Sequence, residues 1–260
     1  MATGRTTLNN WRVYVDGYDM SGMSRSFGPL DCIFDEGVDD ALTHTVKGIY
    51  PGQATVKMGT LNGIFNNTAT TGLHAVMEGG NGTVRDVMLA CGIQGAPANN
   101  NPCFSGQFEQ IGYNSNDSEP IMTASIPFGN TSAAAGYLNY AKPWGALLHA
   151  LLAATAANTA TGLDQAAQST KGGWMMYQVT AAAGAGDMTA TLKVQDADTN
   201  ENGSFGDLLS SGVINCSGGG VSGVVALAPT ATVERYVRWQ IALGTATSVT
   251  FALAFMRGTI

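Results

Sequence analysis

Charged residues are scarce in this sequence. Lys, Arg, Asp and Glu together make up 12% of its 260 residues, about half of the ~25% that is usual for soluble domains. Acidic residues outnumber basic ones by 19 to 12, which gives a formal net charge of −7. Proteins that grip the DNA backbone need clustered Lys and Arg, so this composition argues against that class. No apolar run reaches the length of about 18 residues that a membrane helix needs, and the polar start leads us to expect no secretory signal.

Histidine and cysteine are too few and too scattered to suggest a metal or nucleophile site. None of the three histidines and four cysteines shows the spacing of a zinc site. The sequence also contains no GxSxG or Walker pattern, and no GxGxxG that follows a strand and opens a helix. We therefore expect a protein that is not an enzyme and needs no cofactor. Its cysteines are expected to be reduced and buried; they are Cys32, Cys91, Cys103 and Cys216.

One short segment is similar to a calcium-binding loop. Asp196, Asp198 and Asn200 occupy positions 1, 3 and 5 of such a loop, and Asp207 falls at position 12. Glu201 occupies position 6, where the sharp turn requires glycine, and no helices are predicted on either side. We interpret the segment as a polar loop between strands, and we expect no metal.

Glycine is abundant, with 34 residues of 260, and many segments alternate between apolar and polar side chains as strands do. Trp11–Val15 is such a segment, and the Asp16-Gly17 pair after it is typical of a type I′ hairpin turn. Two amphipathic segments near the C terminus, 237–243 and 249–255, flank a short turn and predict a second hairpin.

Helices are predicted to be short and few, over residues 72–77 and 83–90, the second with Thr83 as its N-cap. The segment from Trp144 to Ala157 has helical propensity, but we prefer a strand over residues 145–149. The predicted fold class is therefore mainly β. We expect an N-terminal β-barrel or sandwich with one or two short helices, followed by a C-terminal β-sandwich.

The chain is predicted to divide near its middle. Residues 153–172 contain almost no large apolar side chains, which is typical of a linker or of an extended arm on another subunit. The predicted domains are consequently residues 1–152 and residues 173–260. Earlier in the chain, the sixteen residues from Glu36 to Pro51 show no clean period. They exceed the ~12 residues of an ordinary connection, so we interpret them as a long functional loop.

The order of these features resembles the tail tube (major tail) proteins of long-tailed bacteriophages. The resemblance is carried by a strand–Asp-Gly–strand start, a long acidic loop and the stretch Val46 to Asn67, VKGIYPGQATVKMGTLNGIFNN. Within that stretch, Tyr50-Pro51-Gly52 and Gly63-Ile64-Phe65 match the family's pattern. The C-terminal half looks like modules appended to phage virion proteins.

The resemblance implies a structural virion protein with a tail-tube-like N-terminal domain. It implies that copies assemble into rings, as hexamers in that family, and that the rings stack into a tube through which DNA passes. Expected partners are the protein itself and other virion proteins, with no membrane; the expected location is the virion tail, after synthesis in the host cytoplasm. The long loop would contact a neighbouring subunit, and its candidate contact residues are Glu36, Asp39, Asp40, His44, Lys47 and Tyr50.

Two other functions remain open at this point. A capsid decoration, or cement, protein would share the β-rich composition and would clamp the phage head as a trimer. A carbohydrate-binding module would use exposed aromatic side chains, for which Trp174, Tyr177 and Trp239 are the candidates. The first alternative differs from a tube in its state of assembly, and the second in the exposure of these three rings.

Overall fold

The computed structural model describes residues 8–39, 48–117, 120–131 and 142–258. These residues form nineteen β-strands, one short α-helix and two 3₁₀ turns. The strands make two antiparallel sheets, so the predicted mainly β class is confirmed. Neither sheet closes into a barrel within the described residues, so the N-terminal half takes the sandwich form of the prediction.

The first half of the chain contains ten strands and the helix α1, Leu73–Met77. The strands are β1 Trp11–Val15, β2 Tyr18–Asp19, β3 Ser24–Ser26, β4 Leu30–Asp39, β5 Gly48–Met58, β6 Thr60–Ile64, β7 Val84–Cys91, β8 Pro102–Gln110, β9 Asn114–Asn116 and β10 Thr123–Thr131.

The second half contains nine strands. They are β11 Trp144–Ala154, β12 Leu163–Asp164, β13 Gly173–Gly184, β14 Thr189–Ala197, β15 Gly206–Ser210, β16 Ile214–Asn215, β17 Val221–Ala226, β18 Tyr236–Leu243 and β19 Ala246–Arg257. The larger sheet runs β17-β13-β19-β11-β8-β10-β5-β4 with six further strands branching from it, and the smaller runs β12-β18-β14-β15 with β16 beside β14.

Three apolar cores hold these layers together. The first lies in the N-terminal half, between β1, β7 and β8 on one side and β5, β6, β10 and α1 on the other. The second lies in the C-terminal half, between β13 and β19 on one side and β14 and β18 on the other. The third joins the two halves, because β1, β7 and β8 also pack against β11, β13 and β19. The strands that lie between two cores are therefore buried on both faces.

The second predicted helix, over residues 83–90, is wrong, because this segment forms β7. Val87 and Leu89 face the first core, whereas Met88 and Ala90 face the third. A strand buried on both faces has no polar positions, so its sequence loses the alternation that marks a half-exposed strand. The spacing of its valines and methionine then imitates a helix. The first predicted helix is confirmed as α1.

The predicted C-terminal hairpin is also wrong, although both of its strands are present. β18 pairs with β14 and β12 in the smaller sheet, whereas β19 pairs with β13 and β11 in the larger sheet. The turn between them therefore crosses from one sheet to the other. Both apolar faces still contact the second core, as Ile241 and Phe251 show. The alternation indicates correctly which side chains are buried, but it does not specify a strand's neighbour.

The strand preferred for residues 145–149 is confirmed and extends further, as β11. Beyond it, much of the segment 155–172 lies against the edge of the smaller sheet of the same chain. The side-chain nitrogen of Asn158 donates to the carbonyl of Trp239, and β12 pairs with β18 at Leu163 and Val237. The division of the chain into two domains at 153–172 stays a prediction. Two such domains would contact each other through the third core.

The turn between β1 and β2 is confirmed and contacts the C-terminal half. Asp16 and Gly17 have φ of 50° and 81°, the positive values that a type I′ turn requires. The backbone nitrogen of Gly17 donates to the side-chain oxygen of buried Gln178 on β13, at 2.5 Å. A β-carbon at Gly17 would lie 2.2 Å from the backbone nitrogen of Val221, so glycine is required there for close approach as well as for φ.

Gly17→Ala is therefore expected to lower the free energy of unfolding by about 3 kcal/mol or more. The substitution forces a side chain into a left-handed conformation and also pushes the turn away from β17. Gly212→Ala is the matched control, because Gly212 has φ of 68° and open space around its missing side chain. That control should cost only the conformational strain, about 1–2 kcal/mol. Chemical denaturation measures both, and equal losses would contradict the packing role of Gly17.

Candidate assembly surface

The segment predicted as a long loop is, where it is described, a pair of strands. Glu36 pairs with Pro51, Gly37 with Tyr50, and Asp39 with Gly48, so β4 and β5 continue as a hairpin well past the sheet. The loop prediction is wrong for these residues, because glycines, a proline and acidic side chains hide the alternation. Of the remaining candidate contact residues, Asp40, His44 and Lys47 lie outside the described residues. Whether this segment contacts another subunit stays a prediction.

The hairpin has few neighbouring strands among the described residues as it extends. β4 pairs only with β5 among the described strands, and β5 pairs with β10 at Lys57 and Asn130, near the base of the hairpin. Met58 at the base is fully buried, whereas Ile33 is 54% and Phe34 is 38% exposed. At about 3.4 Å per residue, the ten residues of β4 span about 34 Å. The hairpin thus exposes two apolar side chains, and the outer edge of β4 is not paired with another strand within the described residues.

The hairpin is also acidic. β4 carries four carboxylate residues and no basic residue, and β5 carries one basic residue, Lys57. The Nζ of Lys57 lies 3.4 Å from a carboxylate oxygen of Asp31. Asp35 is exposed further along the strand, and Glu36 and Asp39 follow at positions paired with β5. Negative charge therefore dominates the part of the hairpin that extends beyond the sheet.

The residues of the calcium-like segment are engaged with other partners. A carboxylate oxygen of Asp196 accepts from the backbone nitrogen of Glu234. The side-chain oxygen of Asn200 accepts from the backbone of Gly162. The carboxylate of Asp207 forms an ion pair with Lys193, which holds its pKa below the ordinary value. Within the described residues, His, Cys, Asp and Glu do not form a group of three or more that could hold a metal ion.

None of the four cysteines is joined to another by a disulfide, and three of them are buried. Burial raises the pKa of Cys103 to about 12, with a smaller opposing effect from its hydrogen bond to Ser105. The thiol is therefore protonated at neutral pH, which makes it a poor nucleophile. This agrees with the expectation of structural thiols, except that Cys32, on the hairpin, is only partly buried.

The aromatic residues proposed for sugar stacking lie mostly inside the protein. Trp174 is fully buried in the third core, and Tyr177 is 7% exposed in the second. Trp239 is partly buried and packs edge-on against His149, with 4.3 Å between the ring centroids. A carbohydrate site needs flat, exposed rings, so these three side chains do not form one in this conformation.

His149 lies at the centre of this aromatic cluster. Its ring stacks on Phe251 with 4.1 Å between centroids, and its Nδ1 donates to the carbonyl oxygen of Phe251 at 2.9 Å. Burial lowers the pKa of His149, and the hydrogen bond to Phe251 only partly opposes this shift. The folded protein consequently favours the neutral ring.

Stability is therefore expected to decrease as the pH falls below about 6.5, the ordinary pKa of histidine. The unfolded chain binds a proton at His149 there, whereas the folded chain does not, so the loss continues down to the lowered pKa of the folded state. His149→Gln should remove this pH dependence when denaturant midpoints are compared between pH 7.5 and 5. His74→Gln, at a half-exposed ring, is the control that should retain it. An unchanged slope in His149→Gln would contradict the assignment.

Among the described residues, the helix is far too short to cross a bilayer. No protein-family model matches the chain, and no curated protein matches it. A solved structure that aligns over nearly its full length is the SPP1 Dit protein (gp 19.1), described as a paradigm of the hub adsorption apparatus in phages that infect Gram-positive bacteria. The alignment covers 95% of this chain and 99% of that one, at 9% identity and a TM-score of 0.33. This TM-score is too low to indicate a shared fold or function.

Proposed function

We propose that the protein is a non-enzymatic structural protein of a bacteriophage virion, whose copies assemble into rings stacked as a tail tube. The observation that carries the proposal is the β4–β5 hairpin, which exposes apolar side chains and whose outer edge is not paired with another strand within the described residues. The phage setting rests on the resemblance of the sequence to tail tube proteins.

A hairpin of this kind is a liability in a protein that stays monomeric. Exposed strand edges pair with other chains, and natural monomers protect them with lysines, prolines, bulges or covering loops. The described part of β4 carries no lysine or proline, and Ile33 and Phe34 are exposed beside its free edge. When a strand edge adds to the sheet of another chain, main-chain hydrogen bonds form between the two strands. Every second side chain of the added strand can then bind in a pocket of the partner. Self-assembly gives the hairpin a partner of this kind.

The acidic composition suits a conduit for DNA. Each chain carries a formal charge of −7, and a ring of like-charged subunits repels a polyanion rather than adsorbing it. DNA could then pass through the lumen without binding to the wall. In this proposal the protein is made in the host cytoplasm and resides in the virion tail, together with other virion proteins.

Sedimentation velocity over a concentration series, followed by negative-stain microscopy, tests the proposal. We expect rings or tubes to appear as the concentration rises, without any added ligand. A discrete soluble trimer at all concentrations would instead support the capsid-decoration alternative. A monomer at every concentration, with no particles on the grid, would contradict self-assembly altogether.

A further inference from the structure

A cleft of about 320 Å³ lies on the larger sheet, where β8 and β11 begin and β19 ends. The side chains of Lys142 and Arg257 both line it, together with Gln165. Trp144, which is 37% exposed, and Phe255 provide an aromatic wall. The function proposed above does not assign a role to this cleft.

Neither cation of the cleft forms a direct ion pair within the described part of the chain, although Asp196 and Glu234 lie close enough to Arg257 to act on its pKa. The ion pairs found there include neither of them. Arg257 donates from its terminal nitrogens to the backbone carbonyls of Ala167 and Glu234, and its Nε is buried without a partner among the described residues. These contacts fix the guanidinium in place without cancelling its charge.

The two positive charges also act on each other. Burial lowers the pKa of Lys142, and the nearby charge of Arg257 lowers it further. Burial lowers the pKa of Arg257 as well, although Asp196 and Glu234 partly oppose that shift. The repulsion between two like charges in a half-buried site decreases when an anion binds between them, because the anion favours the charged form of both groups. The cleft is therefore prepared for a negatively charged partner with an apolar component.

We propose that this cleft receives the acidic β4–β5 hairpin of a second copy of the chain. The inference rests on the proposed function and names the acceptor of the hairpin. The hairpin offers the matching chemistry, since exposed Asp35 would approach Lys142 and Arg257 while Ile33, on the same face of β4, packs against the aromatic wall.

A second cleft among the described residues fits the hairpin less well. It has a volume of about 480 Å³ and lies between β1, β11 and the segment 96–99. Its lining includes one cation, Arg12, and one carboxylate, Asp19. Because these charges are opposite, that cleft carries no net attraction for an acidic strand.

Hairpin and cleft occupy different surfaces of one chain, so their contact joins copies head to tail. Such heterologous contacts leave a free hairpin at one end and a free cleft at the other. They close into a ring or continue as a filament, according to the rotation between copies. The contact thus produces an assembly of the kind proposed, whereas a twofold contact would stop at a dimer.

Charge reversal tests this pairing. Lys142→Glu reverses one cation of the cleft, and Asp35→Lys reverses the exposed carboxylate of the hairpin. Each variant alone should raise the concentration needed for assembly at least about tenfold, because like charges then face each other at the contact. An equimolar mixture should recover assembly, since each variant supplies the surface that complements the other. Lys171→Glu and Asp187→Lys make the same charge changes at exposed positions outside both surfaces and should assemble as the wild type does.

The outcomes separate the two proposals. If the wild-type chain forms no particles, the proposed function and this inference both fail. If the wild type assembles and the two reversals assemble equally well, only the cleft assignment is overturned. If the reversals block assembly but their mixture does not recover it, the hairpin is not the occupant of the cleft, and the inference is overturned. Circular dichroism of each variant confirms that loss of assembly is not loss of folding.

Discussion

A chain in which Asn-Gly replaces residues 35–53 is expected to fold normally and to remain monomeric at every concentration. Phe34 and Ala54 are paired across the hairpin, so a two-residue turn can join them directly. The shortened chain keeps every residue that is described in the three cores. It loses the outer part of the β4 edge and the acidic residues Asp35, Glu36 and Asp39, on which the proposed contact depends, whereas Ile33 and Phe34 remain.

Sedimentation velocity and microscopy measure the result, with thermal unfolding as the check on folding. Val213→Asp provides the control, since Val213 is 77% exposed, the highest value for a large apolar residue among those described, and lies far from the hairpin in the sequence. That variant should assemble normally, which shows that removal of an exposed apolar side chain is not enough to prevent assembly. Rings or tubes formed by the shortened chain would refute the role of the hairpin.

Trp174→Ala is expected to lower the free energy of unfolding by about 3–5 kcal/mol, the usual cost of truncating a large buried aromatic residue. Trp174 is fully buried. It belongs to the third core, where β13 packs against β1, β7 and β8. The cavity would therefore open between the two halves of the chain. Chemical denaturation followed by circular dichroism gives the size of the loss.

Trp144→Ala is the matched control, because Trp144 is 37% exposed and its truncation leaves a smaller cavity. The loss of unfolding free energy in Trp144→Ala should be clearly smaller, and equal losses would contradict the importance of the third core.

The same experiments test the predicted division at 153–172. Two separate unfolding transitions, with the first shifted by Trp174→Ala, would support two domains, whereas a single transition would show that the third core makes the halves unfold together.

The sequence allowed the strands and their buried faces to be predicted, but not how the strands pair. The alternation in β18 and β19 correctly predicts that Ile241 and Phe251 are buried, because the apolar face of each strand is apparent from its own sequence. Their assignment to different sheets depends on contacts with β13 and β14, which lie much earlier in the chain. β7 was missed for the related reason that a second layer covers its other face.

The candidate assembly surface was only partly predictable. The length and acidity of the segment after Phe34 identified it as unusual, yet its extension as paired strands depends on a register that Gly37 and Pro51 obscure. The cationic cleft carried no sequence signal, because Lys142 and Arg257 are distant in the chain and meet only through the pairing of β11 with β19. A local sequence pattern cannot reveal a site whose residues lie at opposite ends of the C-terminal half of the chain.

The position of β19 has a consequence for how the protein is made. This strand is the last element of the described chain, yet it lies in the middle of the larger sheet and supplies side chains to two of the three cores. A ribosome delivers the chain from its N terminus, so the first core can form while synthesis continues, whereas the other two must wait for the final strand. Until β19 emerges, the nascent chain lacks the strand that lies between β11 and β13, so the second and third cores stay incomplete.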